Sequence, residues 1–518
     1  MLFEMIAVAA LLSTDWKVEI GDNRGWREVE TRLLPFGAGL EVQERNTNAV
    51  FAAEFDGIDS TVRMARGALC ELEWRKDLRV RVTRCADAAG LSVSPVRLGY
   101  GPYDGSSAEL SFPKPAKLLV RADRDNVTGL SLIVSPKPSE QDETGYRRVI
   151  RFPAGYHDST NDDRIGRDAF GAPVVTIAED DTLVHLEKGA RVCAAFDVRG
   201  GARNVRIVGP GTIDLMARLP YFDVGFVGEM PYGGIRRGVL PAIYIHENAE
   251  GVTIKDLTII ADFRGINIRN ARGIVMDNVN MFTSVINADG VNVINTEDVL
   301  TVKCYIRSQD DAWCAYNNCD SIRWLWDEPR FCRTRRCRNL RCFDSFLMTN
   351  CRPIVIGGHG TNSGPAYDVM EDVEVAHCTL VEAKGSKADL KHQSYWSGMI
   401  RVLSQSEELV RDIRFRDIDA EWDVNFVGQP VHLEVRKPGN ASYAERGGYA
   451  IRDVLFEDVR FVDAPVRLPL PPFFSAPERG PEGFGIRNVT FRDVVVNGCG
   501  FGGLKPMVSG EVKGLRYE

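Results

Sequence analysis

Apolar residues between positions 204 and 499 recur in a short pattern that is repeated nine times. The second residue of each copy is apolar and the fourth nearly always is, as in GVTIKDLTI and DVLFEDVRF. Side chains alternate between the two faces of a strand, so each copy predicts a short strand with both positions facing inward. The copies begin at Asn204, Gly251, Gly273, Asp298, Asn339, Asp372, Asp412, Asp453 and Asn488.

From Gly251 onward, the inward positions of each copy move from the fourth residue to the seventh and ninth. That step breaks the period of two and predicts a second short strand, which meets the first at a corner. The sixth residue sits at the corner and is usually Asp or Asn, whose side chains bond nearby backbone at bends. We therefore interpret these residues as structural: Asp256, Asn278, Asp344, Asp417, Asp458 and Asp493.

The shortest steps between copies are 22 and 25 residues, which suit one coil of a parallel β-helix. Stacking of coils buries the apolar face that a single coil leaves exposed. Leucine-rich repeats are the alternative, but no helical pattern lies between the predicted strands. A propeller needs about 40–45 residues for each blade, and the short step argues against it. We predict an all-β chain built mainly on a parallel β-helix.

The N-terminal part of the chain lacks the repeat and carries alternating segments such as LRVRVTRC and KLLVRAD. This alternation predicts an antiparallel β-sandwich. A polar stretch rich in Pro and acidic residues follows and is interpreted as a linker. The predicted organisation is a β-sandwich domain over residues 1–135, a linker over 136–148 and a β-helix domain over 149–518.

The charge balance limits the partners. The 518 residues include 64 Lys and Arg against 72 Asp and Glu, a formal net charge of −8. Without a broad basic block, nucleic acid is not an expected partner. A polyanionic substrate would need a local basic cleft to overcome this mild repulsion. No segment is long and apolar enough to span a membrane, so no membrane partner is expected.

Twelve cysteines resemble a disulfide framework, but Cys304, Cys342 and Cys378 fall on inward positions of the repeat. Buried cysteine behaves as a small apolar side chain, and we expect these three to be free thiols. No cysteine or histidine cluster has the spacing of a metal site, so we expect neither a metal nor another cofactor. One disulfide remains open within the group Cys332, Cys337, Cys342 and Cys351.

The first residues, MLFEMIAVAALLSTDW, contain an apolar run without a basic n-region or a clear cleavage site. They are compatible with a trimmed signal or with a first strand. A polymeric substrate favours an extracellular or periplasmic location, while the lack of a convincing signal peptide leaves a cytoplasmic one open. The sequence does not determine the oligomeric state.

Polar residues interrupt the repeat in three segments. Asp289 and Asp310 are 21 positions apart, close to one coil, and neighbouring strands lie about 4.7–4.9 Å apart, so their carboxylates are expected on one face. Asp310 and Asp311 would point in opposite directions on a regular strand, so both reach one cleft only if the backbone bends there. The segments are INADGVNV (286–293), SQDDAWCAY (308–316) and IGGHGTNSG (356–364).

Three crowded carboxylates suit acid–base chemistry, because like charges raise one another's pKa. One carboxyl is then kept as an acid while the others remain bases, and their titrations are coupled. Hydrolysis of a glycosidic bond with inversion requires this division between an acid and a base. The alternative interpretation is a solvated acidic strand edge with a chance histidine.

The order N-x-D, D-D and G-H-G resembles polygalacturonases of glycoside hydrolase family 28, which carry these motifs on a right-handed parallel β-helix. The sandwich domain, the linker and the segment RFPAGYH are more similar to dextranases and isopullulanases of family 49. The resemblance covers residues 148–500 as architecture. It implies that Asp310 is the general acid, while Asp289 and Asp311 position and deprotonate the water. His359 would hydrogen-bond near the acid and tune its proton.

Candidate substrate-binding residues surround these motifs. The Asn287 amide would orient a carboxylate or a sugar hydroxyl, unless Asn287 simply forms a turn. Family 28 grips the galacturonate carboxylate with an Arg-x-Lys pair, whereas in GMIRVLS Met399 replaces the Arg and Arg401 takes the Lys position, which puts a strict polygalacturonate substrate in doubt. Surface charge and loop packing are the alternatives for Arg401 and the other candidates. These are the cations Lys391 and His392 and the sugar-stacking rings Trp324, Trp326 and Trp396.

These features predict an inverting glycoside hydrolase of O-glycosyl bonds that acts on a pectic or α-glucan polysaccharide or oligosaccharide. One alternative is a β-helix polysaccharide lyase or epimerase, in which the aspartates would hold calcium. Another is a non-catalytic carbohydrate-binding solenoid, in which the aspartates would be splayed apart. The sequence does not determine the sugar, the linkage, or endo versus exo action.

Overall fold

The chain divides into two compact units, Met1–Gln141 and Asp142–Glu518. In the described residues, no helix is long and apolar enough to cross a membrane. The computed structural model describes residues 13, 15–22, 24–34, 67–123, 129–138, 140–168, 171–215, 240–261, 263–283, 288–317, 336–349, 351–358, 368–382, 398–405, 408–421, 429–436, 448–462, 472–480 and 482–518.

The first unit is a β-sandwich whose two sheets share one apolar core. A short 3-10 helix, Val96–Leu98, joins two of its strands. The four-stranded sheet has the order Gly25–Val29, Trp16–Asp22, Leu78–Arg84 and Ser107–Phe112. The six-stranded sheet has the order Arg32–Leu33, Ala68–Glu73, Leu130–Ser135, Ala116–Ala122, Gly90–Ser94 and Tyr103–Asp104.

One strand pair of the sandwich departs from the expected antiparallel arrangement. Leu130–Ser135 runs parallel to Ala68–Glu73, while its other neighbour, Ala116–Ala122, is antiparallel. Parallel neighbours need a long crossover connection. Between these two strands the chain passes through Leu78–Arg84 and Ser107–Phe112 of the opposite sheet and through Gly90–Ser94, Tyr103–Asp104 and Ala116–Ala122 of the same sheet.

The second unit is a parallel β-helix in which a typical coil contributes two strands to a first sheet and one to a second sheet. The first sheet comprises Arg148–Phe152, Gly155–His157, Thr182–Leu186, Ala190–Val192, Arg203–Val208, Thr212–Asp214, Glu250–Lys255, Thr258–Ala261, Arg272–Asp277, Asn280–Thr283, Glu297–Val302, Tyr305–Ser308, Arg336–Phe343, Phe346–Thr349, Asp368–Ala376, Thr379–Glu382, Glu408–Glu421, Ala450–Val462, Gly485–Arg492, Val495–Val496, Cys499–Gly500 and Val512–Tyr517. The second sheet comprises Gly166–Arg167, Pro173–Ile177, Ala195–Val198, Ile243–Ile245, Ile266–Arg269, Val291–Ile294, Trp313–Tyr316, Ile354–Gly357, Ile400–Ser404, Val431–Val435, Phe473–Ser475 and Met507–Ser509. A 3-10 helix, Phe501–Leu504, lies near the C-terminus.

The nine sequence copies stack in register. The second residue of each copy pairs with the second residue of the next, from Val205 to Val489, and the fourth residues do the same from Ile207 to Phe491. All of these side chains are buried in one continuous core. At its C-terminal end, Phe415, Phe456 and Phe491 form a stack with ring centroids 4.8 and 4.9 Å apart. The predicted inward positions are therefore confirmed.

The corners of the coils have left-handed backbone. The sixth residue of every copy from Gly251 onward has positive φ, as in Asp256 at 54° and Asp458 at 53°. The first residue of all nine copies has positive φ as well, which the repeat pattern did not indicate. Asp and Asn tolerate this conformation better than other residues with side chains. Corner side chains also link coils, because Asn278 Nδ2 donates to Asp256 Oδ1 at 2.7 Å. The corner acids are therefore structural.

The three cysteines at inward positions of the repeat form no disulfide with any described residue, as expected. Cys304, Cys342 and Cys378 are buried thiols, and the Cys378 thiol donates to the Cys342 carbonyl. Cys337 and Cys351 are also free, while Cys332 lies outside the described residues.

The phenylalanine stack provides a test of the stacked core. Phe456→Ala removes a fully buried ring between two neighbours, and we expect it to lower the free energy of unfolding by about 3–5 kcal/mol. Urea unfolding followed by circular dichroism measures the change. Val508→Ala, at a side chain that is 50% exposed, is the control and should change stability by less than about 0.5 kcal/mol. Equal effects of the two substitutions would contradict a continuous stacked core.

Candidate active site

The second sheet turns alternate side chains into the core and away from it. Ile266, Val291 and Trp313 pair with one another and belong to the core. The residues that follow them face away, and most are polar. In consecutive coils these outward residues form one column of Tyr244, Asn267, Asn292, Cys314, Val355, Arg401 and His432.

A second column precedes these strands and contains two of the predicted catalytic residues. Arg264, Asp289, Asp311 and Arg352 each lie two residues before the first residue of a second-sheet strand. Backbone hydrogen bonds continue the stacking: Gly265 N–H donates to Asp289 O, Gly290 N–H to Asp311 O and Ala312 N–H to Arg352 O. We call these four residues the charged column. The coils thus place two carboxylates next to each other and one guanidinium at each end.

A glycine permits this close approach. A Cβ atom on Gly290 would lie 2.4 Å from the Ala312 carbonyl oxygen and 2.4 Å from the Ile306 side chain. Real Cβ atoms do not come so close, so Gly290 lets the Asp289 coil pack directly on the Asp311 coil. The Gly that follows Asp289 in the sequence motif therefore has a packing role.

Each carboxylate of the charged column is paired with its own arginine. Arg264 Nε lies 3.2 Å from Asp289 Oδ2. Arg352 binds Asp311 through two bonds, Nε to Oδ1 at 2.6 Å and Nη2 to Oδ2 at 3.0 Å. Such bidentate pairs fix the plane of the carboxylate as well as its charge.

The backbone bends at Asp310. Such a bend is necessary if Asp310 and Asp311 are to point to the same side of the coil. The strand Tyr305–Ser308 ends before Asp310, and the hydroxyls of Ser308 and Thr349 both donate to the Asp310 carbonyl. Carboxylate oxygens of Asp310 and Asp311 lie within 4.8 Å of each other, as do those of Asp289 and Asp311. The three predicted acids therefore meet at one corner.

Asn292 fixes the orientation of Asp289. Its Nδ2 donates to Asp289 Oδ2 at 2.9 Å and to Asn267 Oδ1 at 2.8 Å. Its Oδ1 accepts hydrogen bonds from the Cys314 thiol and the Tyr316 hydroxyl. All four groups are buried, so the amide has one favourable orientation.

The two buried carboxyls titrate far above ordinary aspartate. Burial raises the pKa of Asp289 to about 7; the Arg264 charge opposes this shift, while Asp310 and Asp311 add to it. Burial likewise raises the pKa of Asp311 to about 6, against the opposing charge of Arg352. Burial also holds the pKa values of the Cys314 thiol and the Tyr316 phenol well above their usual ranges, so both are neutral.

Arg401 is a buried cation close to these acids. Only 2% of it is exposed, and its Nε and Nη2 atoms make no hydrogen bond to any residue that the structure describes. Nη2 lies 3.7 Å from Glu434 Oε2. Burial lowers the pKa of Arg401 well below its usual range, and the charges of Arg352 and Arg436 lower it further. Met399 lies in the core rather than on the outer face, so it does not stand beside Arg401 as a potential ligand-binding position.

Glu434 stays ionised beside Arg401. Although burial opposes ionisation, the hydrogen bond and charge of His432 and the charge of Arg436 lower the pKa of Glu434 to about 2. Its Oε2 lies 3.3 Å from His432 Nε2 and 3.3 Å from Arg436 Nε. Glu434 therefore balances part of the positive charge on this side of the site.

The remaining predicted site residues lie outside the described residues. Arg352 stacks one coil beyond Asp311, and His359 lies seven positions after Arg352 in the sequence. The described segment 351–358 ends one residue before His359, at Gly358, whose N–H donates to the buried Glu408 carboxylate at 2.9 Å. The residues in question are Asn287, His359, Lys391, His392, Trp324, Trp326 and Trp396.

Two groups in the site bring three potential metal ligands within 4.8 Å of one another. One comprises Asp289, Asp311 and Cys314, and the other comprises Asp310, Asp311 and Cys351. Arg352 already occupies both oxygens of Asp311, and Arg264 lies against Asp289. The positive charges of these guanidinium groups would repel a metal cation at the same oxygens, so the donor set fits a metal poorly.

The sequence motifs did not predict Arg264, Asn292 and Arg352 as site residues. Asn292 lies within the INADGVNV segment, where a polar residue at an outward strand position was an available signal. Arg264 and Arg352 are 25 and 41 positions from the aspartates that they bind, with no motif of their own. Their alignment depends on coil lengths that the repeat does not specify.

Comparison with known proteins supports the fold. The chain resembles the solved structure of Dex49A from Penicillium minioluteum with a TM-score of 0.59 and 11% identity, over 95% of this chain and 90% of that one. A family 28 exopolygalacturonase of Yersinia enterocolitica matches with a TM-score of 0.42 and 12% identity, over 81% and 90% of the two chains. No protein-family model matches the sequence. No curated protein matches it either. At this identity the likeness to Dex49A establishes a shared β-helix fold.

The carboxyl titrations can be measured without any substrate. In protein labelled with ¹³C at aspartate carboxyls, we expect two resonances to titrate near pH 7 and pH 6 rather than near the ordinary value of about 3.9. Asp289→Asn and Asp311→Asn assign them. Asp162 is the reference for an aspartate with a lowered pKa, because the hydrogen bond from Arg164 lowers the pKa of this carboxyl. Titration of every aspartate below pH 5 would contradict the buried, coupled pair.

Proposed function

We propose that this protein is a glycoside hydrolase that cleaves glycosidic bonds in a polysaccharide or oligosaccharide with inversion. The observation that carries the proposal is the meeting of Asp289, Asp310 and Asp311 at one corner of the β-helix. Three acids with unequal environments provide both an acid and a base. Their convergence argues against a non-catalytic solenoid, for which we expected the aspartates to be splayed apart.

Asp310 is the proposed general acid. Its side chain is 18% exposed, and its nearest guanidinium contact, to Arg352 Nη2, is long at 3.9 Å. The side chains of Asp289 and Asp311 are each 11% exposed, so Asp310 is the most accessible of the three acids, and the resemblance to the family 28 D-D motif supports its role as the proton donor. In the reaction, Asp310 gives this proton to the glycosidic oxygen as the bond from that oxygen to the anomeric carbon breaks.

Asp289 and Asp311 are the proposed bases. Each is paired with an arginine, which favours the ionised carboxylate. Together they hold a water molecule, and one of them accepts its proton as the water oxygen bonds to the anomeric carbon. Because burial raises their pKa values to about 7 and 6, both become bases only as the pH rises through this range.

The distances between the carboxyls do not by themselves predict inversion. The nearest oxygens of Asp310 and Asp311 lie within 4.8 Å, whereas inverting enzymes typically separate acid and base by about 6.5–9.5 Å. The proposal of inversion rests instead on the motif resemblance and on a third carboxylate that assists the water. Proton NMR of the first-formed product anomer distinguishes inversion from retention.

Arg401 supports a substrate with acidic sugars. Two nitrogen atoms of this buried guanidinium have no hydrogen-bond partner among the described residues, and a sugar carboxylate would satisfy them. Arg352 and Arg436 add positive charge nearby, while Glu434 partly offsets it. This supports a uronate-containing polymer over a neutral α-glucan.

One observation favours a second candidate, a uronate lyase. Such an enzyme needs a basic group to remove the C5 proton, and the lowered pKa of Arg401 makes this buried side chain a stronger candidate than an ordinary arginine. The lyase would form an unsaturated uronate that absorbs ultraviolet light, whereas hydrolysis would not. A screen of polygalacturonate and dextran for reducing ends, ultraviolet absorbance and calcium dependence therefore separates the two reactions.

Replacing the proposed acid tests the role assignment. Asp310→Asn should lower kcat at least about 100-fold on the substrate that the screen identifies, since general acid catalysis contributes about 10²–10⁴-fold. Asp256→Asn is the matched control, because Asp256 is a corner residue with φ of 54° that asparagine also tolerates. We expect the control to keep its activity. Undiminished activity of Asp310→Asn would exclude Asp310 as the acid.

The substrate class is tested through Arg401. We expect Arg401→Met, measured in the Asp310→Asn background by calorimetry, to weaken binding of galacturonate oligomers roughly tenfold or more, since a hydrogen bond to a charged group contributes about 1.5–3 kcal/mol. Binding of isomaltose oligomers should change little. Equal weakening of both sugars would argue against a carboxylate receptor and for a general packing role.

A further inference from the structure

The charged column has its two carboxylates in the middle and a guanidinium group at each end. From one end to the other, the column reads Arg264, Asp289, Asp311 and Arg352, with one guanidinium outside each carboxylate. The two carboxylates lie within 4.8 Å of each other, and both are buried. Like charges this close normally cannot ionise together, and one of them keeps a proton.

Other titratable groups face the pair from neighbouring strands. Asp310 adds negative charge to both carboxylates, and Arg401 adds positive charge at Asp311. The Cys314 thiol and the Tyr316 phenol lie close to Asp289, and burial keeps both neutral. The Cys351 thiol faces Asp310 and Asp311 and is neutral for the same reason. Among the described residues, Arg264 and Arg352 are therefore the cations in closest contact with the carboxylate pair.

We propose that Arg264 and Arg352 are positioning residues that allow Asp289 and Asp311 to be ionised at the same time, so that both act on one water molecule. This inference rests on the proposed hydrolytic function. Without either arginine, the pair would retain a shared proton to a higher pH and would lose one of its two bases. In this role the guanidinium groups act through the carboxylates that they bind.

Arg352 has a second effect that a simple charge would not have. Its two nitrogen atoms bind the two oxygens of Asp311, and this contact fixes the carboxylate plane relative to Asp289. A lysine at the same position would supply a charge but only a point contact. Charge and orientation can therefore be separated by substitution.

The pH dependence of kcat/KM tests the proposal on the full chain with polygalacturonate or dextran, whichever the screen identifies. For Arg352→Gln and Arg264→Gln, we expect the acidic limb to move up by one pH unit or more, a roughly tenfold loss of kcat/KM below the limb. Arg352→Lys should keep the limb near its original position while kcat falls, because the charge remains and the bidentate contact is lost. Arg272→Gln is the control, since Arg272 forms an exposed pair with Asp298 on the first sheet.

A structural role for the arginines gives a different result. Equal loss of activity at every pH, or an unshifted acidic limb in both glutamine variants, would overturn the proposal. Thermal unfolding of each variant shows whether the fold is retained, and Arg352→Lys provides a variant that keeps the charge if Arg352→Gln does not fold.

A titration without substrate separates this inference from the proposed function. In aspartate-labelled protein, Arg352→Gln should raise the pH at which the Asp311 carboxyl titrates by at least one unit, and Arg264→Gln should do the same for Asp289. This shift is expected even if neither polymer is cleaved. Unshifted titrations would reject the role of the arginines whatever the reaction is.

Discussion

The structure depends on the in-register stacking of one coil on the next. Parallel strands at hydrogen-bonding distance place each residue of a coil against the equivalent residue of its neighbours. An apolar position therefore becomes a continuous core column, and a corner position becomes a column of left-handed residues. The phenylalanine stack from Phe415 to Phe491 and the Asn278–Asp256 bond between corners are two results of this one constraint.

The same stacking brings two negatively charged side chains together in the site. Because stacking brings equivalent positions together, Asp289 and Asp311 lie adjacent although their charges repel. Burial makes the repulsion stronger, since low-polarity surroundings screen charge poorly. Arg264 and Arg352 occupy the same column on the outer side of each carboxylate and reduce this cost. The regular scaffold thus holds two carboxylates within 4.8 Å of each other, although their charges would drive them apart in water.

The proposed chemistry is located where the coil is least regular. Asp310 lies at the bend between two strands, and hydroxyls of Ser308 and Thr349 hold its carbonyl there. This bend turns Asp310 and Asp311 toward one place, whereas a continuous strand would separate them. On the outer face of the second sheet, Asn292 adds to this hydrogen-bond network by orienting Asp289. The regular coils therefore set the distance between Asp289 and Asp311. The bend gives Asp310, the proposed acid, an environment different from that of the two proposed bases.

The β-helix, its inward positions and the corner acids could be predicted from the sequence, because each follows from a local period that every coil repeats. Asp289, Asp310 and Asp311 could be predicted as well, since Asp289 and Asp310 are 21 residues apart, which is close to one coil. The cations that meet these acids could not be predicted. Arg352 lies 41 residues from Asp311 in sequence. The left-handed first position of each copy and the contacts of Arg401 also emerged only from the structure. The physical reason is that loops of unequal length separate successive coils, so the partner of a side chain across the stack is set by backbone pairing rather than by distance along the chain.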